Sequence, residues 1–310
     1  MISICIPTYS RLNYLQELIQ CCLNQSYSDF EICISQDVTT NGLVPEIKSY
    51  CEGLVKQYPN IIKYQAQEKN IGLSGNWNAL VTMAQGEYVF IPGDDDLIST
   101  DFLEKLLQTS STEADVLFCN QYFIDKNGAI LIDYTLELNN KYGRNNLNTG
   151  YLSEPIRTVL QSTVPMSATL IKREWFSKFK FDSKINAPEL EVFLKIAINS
   201  GCFYYVNEQL AFYRVHETSA TSLGLTTGQY LGNIIDIDVP DNYIADKTAL
   251  IQKAIIPGIN NAIKTNNLKL AKKLINSGFY PSNNFSTKII QKILLILPIF
   301  LSKYILEKRQ

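Results

Sequence analysis

Over the first 110 residues, short β-branched apolar runs alternate with longer stretches whose apolar residues recur three and four apart. The runs at 2–7, 30–35 and 61–67 predict strands. Between them, 11–25 carries Leu12, Leu15, Leu18, Ile19, Cys22 and Leu23 at helical spacing, with Ser10 as its cap. Two further helices are predicted, 45–58 opening on Pro45 and 73–84 ending at Gly86. This alternation predicts a parallel α/β sheet, in which ligands gather beyond the carboxyl ends of strands. A fourth run, from Tyr88 to Ile91, leads through Pro92 and Gly93 into Asp94, Asp95 and Asp96. Three adjacent carboxylates at a buried strand end repel one another, and a hard divalent cation with oxygen ligands would relieve them. Asp94 with Asp96, or Asp94 with Asp95, could share that cation with a diphosphate. The plainer alternative is a polar turn before a helix capped by Ser99 or Thr100.

Beyond Leu107 the pattern loosens. Strands are predicted at 114–120 and 129–136, a mobile Asn- and Gly-rich loop at 138–150, a helix at 188–199, and strands at 203–206 and 210–215. From about Thr221 the composition shifts to helix. One helix starts at the cap residue Asp246 and runs to Ile256, where Pro257 and Gly258 break it. A second covers 268–277, closed by Gly278. A last one covers 288–308, which Lys292 and Pro298 make too broken for a membrane span.

Composition narrows the class. With 310 residues, 46% of them hydrophobic and 19% charged, the chain can bury one large core or two modest ones. Its seven cysteines show no CxxC spacing and fall mostly in apolar patterns, as reduced core residues of a cytosolic protein would. The apolar run at 2–7 is too short, and lacks the basic lead, for a signal peptide. The net charge of −2 hides an asymmetry. From Lys247 onward ten Lys and one Arg face only Glu307, a net +10, so the preceding 246 residues carry −12. A basic tail on an acidic body suggests contact with an anionic surface.

Phosphate-binding loops can be checked directly. There is no GxxxxGK[ST], and Gly72-Leu73-Ser74-Gly75 is no GxGxxG, so neither a P-loop nor a dinucleotide fingerprint is present. His216 is the only histidine, which leaves no credible Ser/His/Asp set. Thr8, Tyr9, Asp37, Asn70 and the three aspartates all lie just past predicted strand ends, as if lining one cleft.

On several stretches the chain resembles the inverting family-2 glycosyltransferases of the bacterial surface-polysaccharide type. They are Ile4-Cys5-Ile6-Pro7-Thr8-Tyr9-Ser10-Arg11, Ile32-Cys33-Ile34-Ser35-Gln36-Asp37, Asn70-Ile71-Gly72 with Asn76-Trp77-Asn78, and Gly86-Glu87-Tyr88. Gly93-Asp94-Asp95-Asp96, Pro188-Glu189-Leu190-Glu191 and Leu210-Ala211-Phe212-Tyr213-Arg214-Val215-His216 follow in the family's order. The resemblance implies a GT-A fold, a Rossmann-like nucleotide-sugar-binding sheet flanked by helices. It would cover residues 1–220, with a donor half of about 1–110 and an acceptor half of about 111–220; residues 221–310 form a basic helical C-terminal extension.

It also implies roles. Pro7, Thr8 and Tyr9 would flank the donor's base, and Asp37 would hydrogen-bond it. Arg11, Asn70 and Asn76 belong to the same nucleotide site, with Asp94 near the ribose. Asp95 or Asp96, with His216, would hold Mn²⁺ or Mg²⁺ against the diphosphate. The general base would be Glu189, with Glu191 second, and Arg214 would end the strand returning toward the phosphates. In three places the chain departs from the family's pattern: Gln36 replaces a common acid, Trp77 a common Arg, and Glu189 an Asp. By themselves, Glu189 and Glu191 could simply favour a helix N-terminus, and Trp77 reads as a packing residue.

The implied activity is metal-dependent transfer of a hexosyl-type sugar, with inversion, from a UDP- or dTDP-sugar to a glycan or lipid-linked glycan. The implied setting is capsule or O-antigen synthesis, in the cytoplasm or peripherally at the inner face of the cell membrane. A homo-oligomer is compatible with the sequence, and no nucleic-acid partner is expected. A non-catalytic nucleotide-sugar-binding protein and a nucleotidylyltransferase on a related sheet are the alternatives, although the latter usually carries a basic glycine-rich loop after strand one.

Overall fold

The computed structural model describes residues 1–109, 113–182, 185, 188–217 and 228–308. Its elements begin with β1 (Ile2–Thr8), α1 (Leu12–Leu23), β2 (Phe30–Gln36), α2 (Pro45–Gln57), β3 (Ile62–Ala66), α3 (Gly72–Met83) and β4 (Tyr88–Phe90). They continue with β5 (Leu97–Ile98), α4 (Phe102–Thr109), β6 (Val116–Ile124), α5 (Ile132–Lys141), β7 (Gly150–Tyr151), α6 (Pro155–Leu160), β8 (Thr169–Lys172) and α7 (Trp175–Lys178). Last come α8 (Glu189–Ile198), β9 (Phe203–Arg214), α9 (Leu231–Ile234), α10 (Ile244–Lys264), α11 (Leu268–Asn276), α12 (Phe285–Leu294) and α13 (Ile299–Glu307). Two compact units divide the chain, one of Met1–Lys184 with Val192–Ser219 and the other of Ile185–Glu191 with Ala220–Gln310. The predicted boundary at 220/221 lies outside the described residues.

The first unit is built on one sheet of order β3-β2-β1-β4-β8-β6-β9-β5, with β7 paired to β9. β1, β2, β3 and β4 run parallel. Because β1 is covered on both faces, every one of its residues is buried, and it reads as a continuous apolar run. Ile2, Ile4 and Ile6 pack with Leu15, Leu18 and Ile19 of α1, Ile47 of α2 and Phe102 of α4. On the other face Cys5 lies against the Leu80 carbonyl of α3. Five of the seven cysteines are buried and all seven are free; burial pushes the Cys51 and Cys119 thiols up to about 12.

At the amino end of β1 the packing is tight. Ser3 donates to Glu31 at 2.6 Å and accepts from the Gly86 amide at 2.7 Å, while Lys63 pairs with Glu31 at 2.6 Å. A Cβ on Gly86 would stand 2.5 Å from the Ser3 nitrogen, which is backbone and has nowhere to go. Gly86→Ala is therefore expected to cost about 1–3 kcal/mol by overpacking, read as a lower urea midpoint at unchanged m-value.

The sheet is not wholly parallel, as β8 runs antiparallel to both β4 and β6. The predicted strand at 129–136 is in fact a short connection and the first half of helix α5. Ile130, Ile132, Tyr134 and Leu136 alternate like a strand, but all four are exposed. The helix buries Thr135, Leu138 and Asn139. Thr135 accepts from the Phe123 amide and Asn139 donates to the Gln121 carbonyl, so polar side chains fasten α5 to β6 and no apolar stripe reveals it.

The predicted mobile loop at 138–150 holds the last turn of α5, a short 3-10 turn at Arg144–Asn146 and the start of β7. Arg144 is buried there, donating to the Thr163 carbonyl and Asn139. The strands at 203–206 and 210–215 are one strand, β9, irregular only where its register against β6 shifts around Asn120. Ser10 caps nothing, since Arg11 holds the N-cap position of α1 without a side-chain cap bond.

In the second unit α10 runs through Pro257 without stopping. A proline removes one helical hydrogen bond, and here Ile255, Ile259, Ala262 and Ile263 are buried around it. Gly258 meets Gly228 so closely that a Cβ on Gly228 would lie 2.3 Å from the Gly258 Cα. α11 opens on Asn267, whose side chain accepts from the Leu270 amide. The single helix predicted over 288–308 is instead two, α12 and α13, parted just before Pro298.

Candidate active site

β1 and β4 are parallel neighbours, so the segments that follow them, Thr8–Arg11 and Gly93–Asp96, come together. Thr8 Oγ1 donates to Asp94 Oδ2 at 2.9 Å. Arg11 reaches across with Nη2 on Asp94 Oδ1 and Nη1 on Asp95 Oδ2, the latter at 2.6 Å. Burial alone would lower the Arg11 pKa, but Asp94 and Asp95 outweigh it and hold the guanidinium more firmly charged. Burial, reinforced by Asp95, pushes the Asp94 and Asp96 carboxyls up, and Arg11 works against it.

The end of β9 closes the other side. His216 Nε2 lies 2.7 Å from Asp95 Oδ2 and 3.1 Å from Arg11 Nη1. Asp96 is held by backbone. Its Oδ1 accepts from the Arg214 amide at 3.1 Å and its Oδ2 from the Gly93 amide at 3.2 Å. Gly93 must be glycine here, because a Cβ would stand 2.7 Å from Asp95 Oδ1. The resemblance implies Asp96 as an alternative metal residue; each of its oxygens accepts one backbone amide and keeps a further lone pair.

Arg214 is engaged within the protein. It is 1% exposed, and its guanidinium donates to the Asp95 carbonyl (2.7 Å), the Lys126 carbonyl (3.1 Å) and Glu17 (2.6 Å) while lying over Tyr14. Tyr14 also touches the His216 ring, 5.5 Å between centroids. Sequence reasoning missed Tyr14 and Glu17. Their only signal is that they stand three apart on α1, off its apolar face.

Around the nucleotide positions, Asp37 accepts from the amides of Val38, Ile71 and Gly72. Its carboxylate ties the end of β2 to the start of α3, leaving one lone-pair direction free of the four it has. Asn70 binds the Val38 carbonyl and the Gly72 amide in the same loop. Asn76 donates to the Ser35 carbonyl, while its buried Oδ1 has no partner among the described residues. Pro7 is buried and Tyr9 exposed. Gln36 is buried, donating to the Val44 carbonyl and accepting from Tyr64. Trp77 packs edge-on against Phe181.

Glu189 and Glu191 begin α8, within the second unit. Glu191 accepts from Asn233 of α9 at 2.5 Å. Glu189 Oε2 is enclosed without a hydrogen-bond partner among the described residues. Burial pushes its carboxyl up to about 7, against the pull of its own backbone amide.

The family model of glycosyl transferase family 2 matches residues 3–178. The chain belongs to that family. It is 27% identical over 232 residues to the abequosyltransferase RfbV of Salmonella typhimurium, covering 69% of this chain and 66% of that one. The hyaluronan synthase of Pasteurella multocida is 28% identical over 91% of this chain, which spans only 29% of the synthase. Among solved structures, S. aureus TarS 1–349 in complex with UDP-GlcNAc matches with a TM-score of 0.62 and 13% identity, covering 95% of this chain and 90% of that one. The mannosyltransferase PcManGT of Pyrobaculum calidifontis, in complex with GDP-Man and Mn²⁺, gives 0.58 and 13%, covering 98% and 86%. The fold is GT-A, a mixed sheet flanked by helices with further helices at the C-terminus.

Family-2 enzymes commonly use a divalent cation, and the residues here can be tested for fit. No three His, Cys, Asp or Glu side chains converge as metal ligands among the described residues. Asp95 Oδ2 and His216 Nε2 do converge, and Arg11 Nη1 lies within hydrogen-bonding reach of both. Nε2 cannot donate to Asp95 and accept from Arg11 at the same time, whereas both atoms can turn lone pairs to one cation. Bonds of about 2.1 Å set neighbouring ligands roughly 3 Å apart, close to this spacing. A carboxylate with an imidazole, completed by diphosphate oxygens and water, suits Mn²⁺ or Mg²⁺. The fit is good for two protein ligands and no more.

Proposed function

We propose that this protein is an inverting glycosyltransferase that moves a sugar from a UDP- or dTDP-sugar to a hydroxyl of a glycan or lipid-linked glycan. The observation that carries the reading is the convergence of Asp95 Oδ2 and His216 Nε2, 2.7 Å apart, beside Asp94 and Thr8. Thr8 and Tyr9 flank the base, the free lone pair of Asp37 reaches it, and Asp94 faces the ribose. Asp95 and His216 are the metal residues, and Asp96 and Arg214 fix the backbone that carries them. The chemistry a bound Mn²⁺ or Mg²⁺ supplies there is neutralisation of the departing diphosphate.

Glu189 takes the proton from the acceptor hydroxyl as that oxygen bonds to the anomeric carbon. The bond from that carbon to the diphosphate oxygen breaks on the opposite face, so configuration inverts and no covalent enzyme intermediate forms. The enclosed, partnerless Oε2 supports Glu189 as the base over Glu191, which is bound to Asn233. Similarity to the hyaluronan synthase supports a polysaccharide as the product, and the acceptor is placed by this reading at the inner face of the cell membrane.

Thermal unfolding with UDP-, dTDP- and GDP-sugars, each with and without Mn²⁺, tests this. One nucleotide is expected to stabilise the protein by about 2–3 kcal/mol at a hundredfold excess over Kd, and only with metal. Asp95→Asn and His216→Ala should lose the metal-dependent part. Equal stabilisation in EDTA would sink the metal role, and no response to any nucleotide sugar would sink the donor.

A further inference from the structure

The two C-terminal helices leave one face without a partner among the described residues. On α12, Phe285, Ile289, Ile293 and, just beyond it, Ile296 recur four and three apart and are exposed, Ile296 at 85%. On α13, Phe300, Leu301 and Tyr304 continue the exposed set. Their inner faces are pinned within the second unit. Gln291 donates to the Ile256 carbonyl and Asn260 of α10 and accepts from Tyr280. Leu294 and Leu306 are buried, and Ser302 donates to the Leu294 carbonyl. The apolar face is therefore held outward by a fixed inner face and is not the flank of a loose tail.

Charge tells what covers it. Lys292, Lys303 and Lys308 are exposed among these apolar residues, with Lys288 partly exposed, and Glu307 is the only acid on either helix. A second copy docking by the same face would set lysines against lysines with almost no carboxylate to pair them. An anionic leaflet meets both features, since its acyl region takes the apolar side chains and its headgroups take the ammonium groups. No helix among the described residues is long and apolar enough to cross a membrane, so the contact is interfacial.

We propose that α12 and α13 form an amphipathic surface that seats the protein on an anionic lipid bilayer through Phe285, Ile289, Ile293, Ile296, Phe300 and Tyr304. This deepens the reading of an acceptor presented at a membrane, and rests on that reading only for its purpose. Failure of donor binding would overturn the catalytic reading and leave the lipid contact standing.

The test is flotation of the full-length protein with vesicles of phosphatidylcholine alone or with about 30% phosphatidylglycerol. Binding is expected only with the anionic lipid, and a rise to 0.5 M salt should weaken it about tenfold or more. Lys292→Glu with Lys303→Glu should lower partitioning at least twentyfold, since each lysine near such a surface is worth about fivefold. Ile293→Ser with Ile296→Ser should lower it at least tenfold. Both variants alter exposed side chains, so their unfolding midpoints and nucleotide-sugar response should match the parent. Equal binding to neutral vesicles, or none to anionic ones, would overturn the proposal. So would light scattering showing a stable dimer that Ile293→Ser with Ile296→Ser dissociates.

Discussion

Glu189→Gln is expected to lower kcat about a hundredfold or more while donor affinity changes less than twofold. A base that removes a proton only as the new bond forms contributes to the transition state and little to the ground state. With its pKa held at about 7 by burial, the rate of the parent should rise with pH along a limb centred near 7. That limb should vanish in the variant. The sign for stability is the opposite of the usual paired acid. The folded-state pKa is raised above the ordinary value for a glutamate, so burial of this group costs nothing below the unfolded pKa of about 4.3. The cost grows as pH rises from there to about 7, and above that it levels off at roughly 3–4 kcal/mol at most. Glu189→Gln should therefore unfold at higher urea than the parent at pH 8, and equally at pH 4. An inactive variant that is more stable is what a buried catalytic base predicts. Loss of activity together with loss of stability would make Glu189 structural. Glu191→Gln should do the reverse, costing about 1 kcal/mol through the Asn233 bond and only a few-fold in kcat.

What could be read from the chain follows what is buried on both sides. β1, β2 and the strand leading to Asp94 are buried almost throughout and read as largely apolar runs, and Thr8, Asp37 and Asp94 follow at or just past their ends. The three aspartates were legible as a group, but their division of labour was not. Asp96 spends its oxygens on the amides of Gly93 and Arg214, and the second of these arrives only when β9 returns more than a hundred residues later. Asp95 is distinguished from its neighbours by His216 in the same way. Around α5 the chain misleads for a different reason. Ile130, Ile132, Tyr134 and Leu136 mimic a strand, while Thr135 and Asn139 bind backbone on the buried side, which no hydrophobic periodicity reports. The stretch predicted as the last helix is split at a proline, as the residue type favours. In α10 the same residue type is overridden, with buried isoleucines on either side of it.

Arg214→Ala is expected to cost about 3–5 kcal/mol, the largest single loss of stability proposed for this protein. The residue is 1% exposed and joins three segments, the 94–96 turn through the Asp95 carbonyl, the Lys126 turn, and α1 through Glu17 and the face of Tyr14. Removing it leaves the buried Asp95 carbonyl short of a donor and opens a void beside Tyr14. The carboxylate is the minor partner, since Glu17 is half exposed. Glu17→Gln should accordingly cost no more than about 1 kcal/mol. Arg214→Lys distinguishes charge from shape, because a single ammonium cannot reach both carbonyls and the carboxylate as a planar fork does. It should recover less than half of the loss. Urea unfolding of the three variants gives the ranking, and a second reading separates fold from site. Arg214 lies two residues before His216 and holds the peptide of Asp95, so in Arg214→Lys the metal-dependent stabilisation by nucleotide sugar should fall even at temperatures where the protein is fully folded. If Arg214→Ala cost no more than Glu17→Gln, or if Arg214→Lys kept the full metal response, the guanidinium would not be what sets the spacing between Asp95 and His216.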